Sequence, residues 1–105
     1  MEPFNSVSEV FEALPANFNR EEADENLSFY FSIDGEEWTV FVTPESCDVQ
    51  PGKKVEKADC FLKTSAEIFL GTINGTYSPS MTDLISGKVK TNNPFLLQKF
   101  RDLFA

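Results

Sequence analysis

Histidine is absent from the 105 residues of this chain. That absence removes Ser-His-Asp and Cys-His nucleophilic systems, together with every metal site that uses an imidazole. Cysteine is scarce. Cys47 and Cys60 are too few for a disulfide scaffold and lack metal-ligand spacing, so two reduced, buried thiols and no metal are expected. Glycine is scarce too: Gly35, Gly52, Gly71, Gly75 and Gly87 are scattered turn, cap or packing residues, and no phosphate-cradling loop is among them. No stretch approaches the roughly 20 apolar residues that cross a bilayer. The opening "MEPFNSVSEVFEAL" carries three glutamates and no base, unlike a secretory or transit leader, and the closing "RDLFA" is no peroxisomal or retention address. A cytoplasmic location is therefore expected.

Positive charge is missing from one half. Residues 1–50 hold 12 acids against Arg20 alone, whereas residues 51–105 hold 5 acids against 8 bases, for a net charge of −8. Such an acidic protein is repelled as a whole by nucleic acid and by anionic membranes, so no nucleic-acid partner and no stable membrane insertion are expected. The second half either offers a locally basic face or carries ordinary solubilising side chains. Glu21/Glu22 and Glu36/Glu37 sit in loop and turn, where solvation does not suit acid–base chemistry. The acids of "PANFNREEADEN" lack the alternation and turn glycine of a calcium loop, which leaves a solvated connector. The expectation is a non-enzyme with no cofactor.

Aromatics, by contrast, are plentiful: 11 phenylalanines, Trp38, Tyr30 and Tyr77. A single domain of this length buries roughly 60–70% of the surface its unfolded chain exposes, enough for one core with limited room for a cavity. This bulky apolar supply either packs that core or faces an apolar guest.

The order of elements follows from periodicity. Ser6-x-x-Glu9 is a capping-box pattern opening a short helix with Val7, Val10, Phe11 and Leu14 on one face, which Pro15 helps end. "LSFYFSIDGEEWTVFVT" is a hairpin. Leu27, Phe29, Phe31 and Ile33 alternate with polar or outward residues, Asp34-Gly35 supplies the turn, and Trp38, Val40 and Val42 return on the same side. A third strand falls around Cys47–Gln50, and "DCFLKT" is a fourth with Cys60 and Leu62 inward. Thr64-x-x-Glu67 is expected to cap a helix closed by Gly75, with Ala66, Phe69, Leu70 and Ile73 in one stripe and Ile68 nearly opposite, at about 100° per residue. Ser78-Pro79 opens a further helix with Met81, Leu84 and Ile85 as its stripe, and Gly87 stops it. "KVKT" is a fifth strand. Asn93-Pro94 starts a last helix with Leu96, Leu97, Phe100, Leu103 and Phe104 on one face. The fold class is α+β in two layers, with helices on one face of the sheet.

The run "KADCFLKTSAEIFLGTINGTYSPSMTDLISGKVKTNNPFLLQKF", with "WTVFV" at 38–42 upstream, resembles the sterol carrier protein 2 family of lipid-binding domains. The resemblance covers nearly the whole chain, residues 1–105 forming one domain, and lies in the ordered set of features rather than in any single motif. It implies a helix, a three-stranded antiparallel meander, a crossover to a mixed five-stranded sheet, and helices covering one face. It also implies an apolar tunnel between helices and sheet for a fatty acid, acyl-CoA, sterol or isoprenoid-like lipid. The chain would hold such a ligand and could transfer it. Three departures stand out, one being the missing peroxisomal address, which argues against the family's peroxisomal carriers. Asn92-Asn93-Pro94 replaces a glycine-centred turn, and Asp83 replaces a small apolar residue, an acid expected either to turn to water or to restrict which lipids enter.

On that resemblance Phe29, Phe31, Trp38, Val40 and Leu62 would form the tunnel floor. Phe69, Ile73, Met81, Leu84, Ile85, Leu97 and Phe100 would form its walls, and Lys88 and Lys90 would meet an anionic headgroup. Ordinary core packing asks for the same residue types, so the core reading stands beside the lining one. Ile68 would face the last helix, a partner or the guest, or else be half-exposed. Tyr30, Phe41 and Phe61 point away from the core set, which suits cross-strand pairing or an interface. The alternative function is therefore an interaction module with a self-filled tunnel, a monomer or weak dimer, or an accessory subunit of a lipid or quinone biosynthetic assembly.

Overall fold

The computed structural model describes residues 4–77 and 81–104. Helix α1 (Val7–Asn17) is followed by a 3-10 turn, Arg20–Glu22, and strands β1 (Leu27–Ile33), β2 (Glu36–Val42) and β3 (Cys47–Pro51). Then come β4 (Cys60–Thr64), α2 (Ala66–Asn74), α3 (Met81–Ser86), β5 (Val89–Thr91) and α4 (Pro94–Leu103). The strands form one sheet in the order β3-β2-β1-β4-β5. β1 pairs antiparallel with β2 and parallel with β4, so the sheet is mixed and the return from β3 to β4 is the crossover.

The hairpin forms as its period and turn dictate. Leu27, Phe29, Phe31 and Ile33 are buried in strict alternation, and Asp34 and Gly35 take positive φ of 50° and 84°, which matches the twist of the strands they join. α2 ends where Gly75 adopts φ 80° and its N–H bonds back to the carbonyls of Gly71 and Thr72.

Local signals shift in three places. Pro15 lies inside α1, which loses one N–H there and runs two residues further to Asn17, whose amide side chain bonds to the Ala13 carbonyl at 2.9 Å. The N-cap of α2 is Ser65, whose hydroxyl accepts from the Ile68 N–H; Thr64 belongs to β4 and donates to the Lys88 carbonyl at 2.7 Å. At the start of α1 Ser6 caps Glu9, but the Glu9 carboxylate accepts from Asn5 N–H, one residue earlier than a capping box requires. The Ser78-Pro79 helix start lies outside the described residues.

The core sits between the sheet and the helices. α1 packs against β3 and beside α2, α4 lies on β4 and the 3-10 turn, and α3 flanks β5. Asn92 takes over pairing where β5 stops: its side-chain carbonyl accepts from Phe61 N–H and its amide donates to the Asp59 carbonyl. The Asn-Asn-Pro segment thus closes the sheet and still caps α4 through Asn93.

Candidate functional site

The expected floor and part of the expected walls lie in one layer. Phe29, Phe31, Val40, Phe69 and Phe100 are buried, and Trp38, Leu62, Ile73 and Leu97 are half-buried against them. The layer is dominated by rings in contact. Phe11 lies parallel to Trp38 at 5.0 Å between centroids, and parallel to Phe69 at 5.6 Å. Phe31 touches Phe11 at 5.1 Å and Phe100 at 4.9 Å, and Phe100 meets Phe29 at 5.0 Å. Phe11 is the ring the sequence did not mark as a lining residue. It read as one member of an ordinary helical stripe, and nothing local says that it reaches into the centre of the layer.

The two layers interlock. Two clefts among the described residues lie away from this layer: one of about 260 Å³ is lined by strand ends and turns, the other by residues 53–56.

α3 departs from its expected stripe. Ile85 is 82% exposed, while Asp83 is buried at 6%. The reason is polar. The Tyr77 hydroxyl donates to the Asp83 carboxylate at 2.5 Å, so the helix turns its acid inward and Ile85 outward. Asp83 holds the Tyr77 phenol above its ordinary range by that hydrogen bond. The side chains of Met81 and Leu84 lie outside the described residues.

Lys88 and Lys90 line the first cleft with Lys63, Ser32, Asp34, Thr64 and Ser65, where β1, β4 and β5 end. They face this cleft and not the apolar layer. Ile68 is half-buried and outside the core cluster. On the open face Tyr30 pairs directly with Phe61 across β1 and β4, and Phe61 is 37% exposed. Tyr30 donates to Glu37, and burial, then Glu37, raises its phenol. Phe41 sits opposite Ser28 and Asp48 rather than beside the other two rings.

Thiol chemistry is muted. Cys60 is raised above its usual range by burial, and Cys47 is pushed up to about 11 by burial and then by Asp48, so both are protonated near neutral pH. Among the described residues no group of three or more His, Cys, Asp or Glu could hold a metal ion, and no helix is long and apolar enough to cross a membrane.

Residues 12–105 match the model of the SCP-2 sterol transfer family. No curated protein sequence matches the chain. Among solved structures it is similar to palmitated SCP2L2 from Aedes aegypti, at TM-score 0.64 and 20% identity over 95% of both chains. It is also similar to UbiJ-SCP2, a ubiquinone synthesis protein, at TM-score 0.63 and 16% identity over 91% of this chain and 90% of that one. The stereoselective inverting sec-alkylsulfatase Pisa1 from Pseudomonas sp. matches at TM-score 0.76 and 14% identity over 90% of this chain, which spans only 16% of the sulfatase. Identities this low bear on the fold alone.

Proposed function

Because the chain belongs to the SCP-2 sterol transfer family, we propose that it binds a flexible lipid chain between α2 and the sheet, by displacing its own side chains rather than filling a standing tunnel. The observation that carries this is the shallow seat of α2. α1 buries Val7, Val10, Phe11 and Leu14, whereas α2 fully buries Phe69 alone, with Ala66, Leu70 and Ile73 half-buried. Exposing a buried phenylalanine costs about 1.5–3 kcal/mol, and each buried methylene returns about 0.8 kcal/mol. About four methylenes offset the loss of Phe69, so a long acyl chain gains on balance. A rigid sterol cannot thread between stacked rings in this way, so fatty acid, acyl-CoA and isoprenoid-like chains are the favoured guests. A palmitated structure among the similar proteins supports an acyl ligand. The residues proposed to meet the guest are Phe29, Phe31, Trp38, Val40, Leu62, Phe69, Ile73, Leu97 and Phe100. In this role the protein is a non-catalytic carrier or holder that acts in the cytoplasm.

The closed stack of Phe11 on Trp38 and Phe69 favours a second reading, an interaction module that uses the open-face Tyr30 and Phe61 and serves as an accessory subunit. The similar ubiquinone synthesis protein fits that reading. One experiment separates them. Trp38 is the single tryptophan and lies in the layer, so titration with a fluorescent fatty acid reports on it directly. Saturable quenching of Trp38, with a lipid recovered by organic extraction of protein purified from cells, supports the carrier. Absence of both overturns it and leaves the interaction module.

A further inference from the structure

Helix α2 is fastened near both ends by side-chain hydrogen bonds, and the two fastenings are unlike. At its start the sheet holds it. Only Ser65 separates β4 from α2; Asp34 N–H donates to the Thr64 carbonyl at 3.1 Å, and the Asp34 carboxylate accepts from Ala66 N–H at 2.7 Å. The turn of the β1–β2 hairpin thus grips the end of β4 and the first residue of α2 together. This end moves only with the sheet.

The far end is held by a segment that belongs to no helix or strand. Asn74, the last residue of α2, engages both backbone polar groups of Phe4. Its side-chain carbonyl accepts from Phe4 N–H at 2.8 Å, and its amide donates to the Phe4 carbonyl at 3.0 Å. Asn and Gln alone place a strong donor and an acceptor side by side at neutral pH, so the clasp depends on the amide. The Phe4 ring is half-buried against the core cluster, which puts a ring at the margin of the apolar layer when the clasp is closed. The same segment is moored to α1, because Asn5 N–H donates to the Glu9 carboxylate and the Ser6 hydroxyl accepts from Glu9 N–H. Breaking the clasp therefore frees α2 and leaves α1 in place.

Between the two fastenings the apolar hold is uneven. Phe69, the one fully buried residue of α2, lies in the half next to the sheet, whereas Leu70 and Ile73 toward the clasp are half-buried. We propose that α2 is a lid hinged at Ser65 and latched by Asn74 to the backbone of Phe4. The lid rests on the reading that a lipid chain enters between α2 and the sheet, and it names the end that opens: the guest passes between Phe4 and the lifted half of α2. A hydrogen bond of this kind favours the closed state only about two- to tenfold net, so the latch opens and closes locally without unfolding the domain. The Tyr77 hydroxyl bond to Asp83 ties the cap of α2 to α3 instead, and it supplies the comparison for the test.

The test is hydrogen exchange followed amide by amide on the protein without lipid. Asn74→Asp keeps the size of the side chain and turns its donor into a second acceptor against the Phe4 carbonyl. Exchange at Thr72 and Ile73 is expected to quicken at least tenfold. Phe69 N–H, which bonds to the Ser65 carbonyl at the hinge, and Phe31 N–H in the central strand are expected to stay within about twofold of the wild type. Unchanged exchange at Thr72 and Ile73 would overturn the lid, as would uniform quickening that includes Phe31, which reports a loss of overall stability. A larger effect from Tyr77→Phe would hand the latch to α3 and overturn the assignment to Phe4. Stopped-flow quenching of Trp38 by a fluorescent fatty acid then tests entry: Asn74→Asp is expected to associate about tenfold faster, because only the open fraction admits the guest. Quenching at an unchanged rate would place the entrance elsewhere and overturn the proposal. The exchange measurement needs no cargo, so a lid that opens as expected in a protein whose Trp38 is never quenched supports the lid and removes the carrier reading alone.

Discussion

The ring of Phe11 lies 5.6 Å from that of Phe69 with only 5° between their planes, joining the first helix to α2 across the middle of the domain. Phe11 also stacks on Trp38 and touches Phe31, so one side chain from α1 links the sheet to the helix beside which a guest is proposed to enter. Truncating it should therefore do two things. Phe11→Ala should cost about 3–5 kcal/mol by chemical denaturation, the range for a buried phenylalanine. It should also leave a void beneath α2, so that the variant binds a fluorescent fatty acid more tightly than the wild type at a temperature where both are folded. Weaker binding would mean that Phe11 holds the guest rather than excludes it.

Gly71 is required by a close approach rather than by its backbone angles. A Cβ built there would stand 2.8 Å from the Tyr77 Cβ, which is fixed to the backbone and cannot swing aside. The connection after α2 is held tightly at this point, because both Thr76 and Tyr77 N–H groups donate to the Gly71 carbonyl. Gly71→Ala should destabilise the protein by about 1–3 kcal/mol as measured by urea unfolding, despite the better helix propensity of alanine. An unchanged midpoint would show that the connection shifts freely.

Thr39 is fully buried on what the strand period marks as the outward side. Its hydroxyl donates to the Gly52 carbonyl at 2.7 Å and accepts from Lys54 N–H at 3.0 Å, and so pins the turn after β3 over the open face. Thr39→Val keeps the shape and removes both bonds. It should cost about 1–3 kcal/mol by thermal or chemical denaturation, because a buried donor and acceptor lose their partner together. Thr39→Ser should retain the bonds and most of the stability.

These particulars show what could be read beforehand. The alternation of Leu27, Phe29, Phe31 and Ile33 and the Asp34-Gly35 turn fix the hairpin locally, and the family resemblance supplied the crossover and the mixed sheet. The face of α3 could not be read, because a stripe of Met81, Leu84 and Ile85 gives no sign that Tyr77 will draw Asp83 inward. The burial of Thr39 was not legible for the same kind of reason: the turn that covers it is 13 residues away. The state of the apolar layer was illegible in principle. A lining side chain and a packed one are chemically alike, and only the structure shows that Phe11 packs against Phe31, Trp38 and Phe69.

Cys47 gives a test in pH. Burial, with Asp48 beside it, raises the thiol from 9.0 to about 11 in the folded chain. Between those values the unfolded chain has lost its proton and the folded chain has kept it, so the native state binds more protons and stability must fall as pH rises. The contribution is whole below pH 9, declines across the window and is gone above about 11. Denaturation midpoints followed through this window should drop in the wild type and drop less in Cys47→Ser, which has no thiol to ionise. The same shift predicts that a disulfide reagent reacts slowly with Cys47 in the native protein at pH 8, and that its rate keeps climbing past the point where an unhindered thiol would level off. A rate that levels off near pH 9 would show that the thiol is solvated and that β3, an edge strand, stands away from α1.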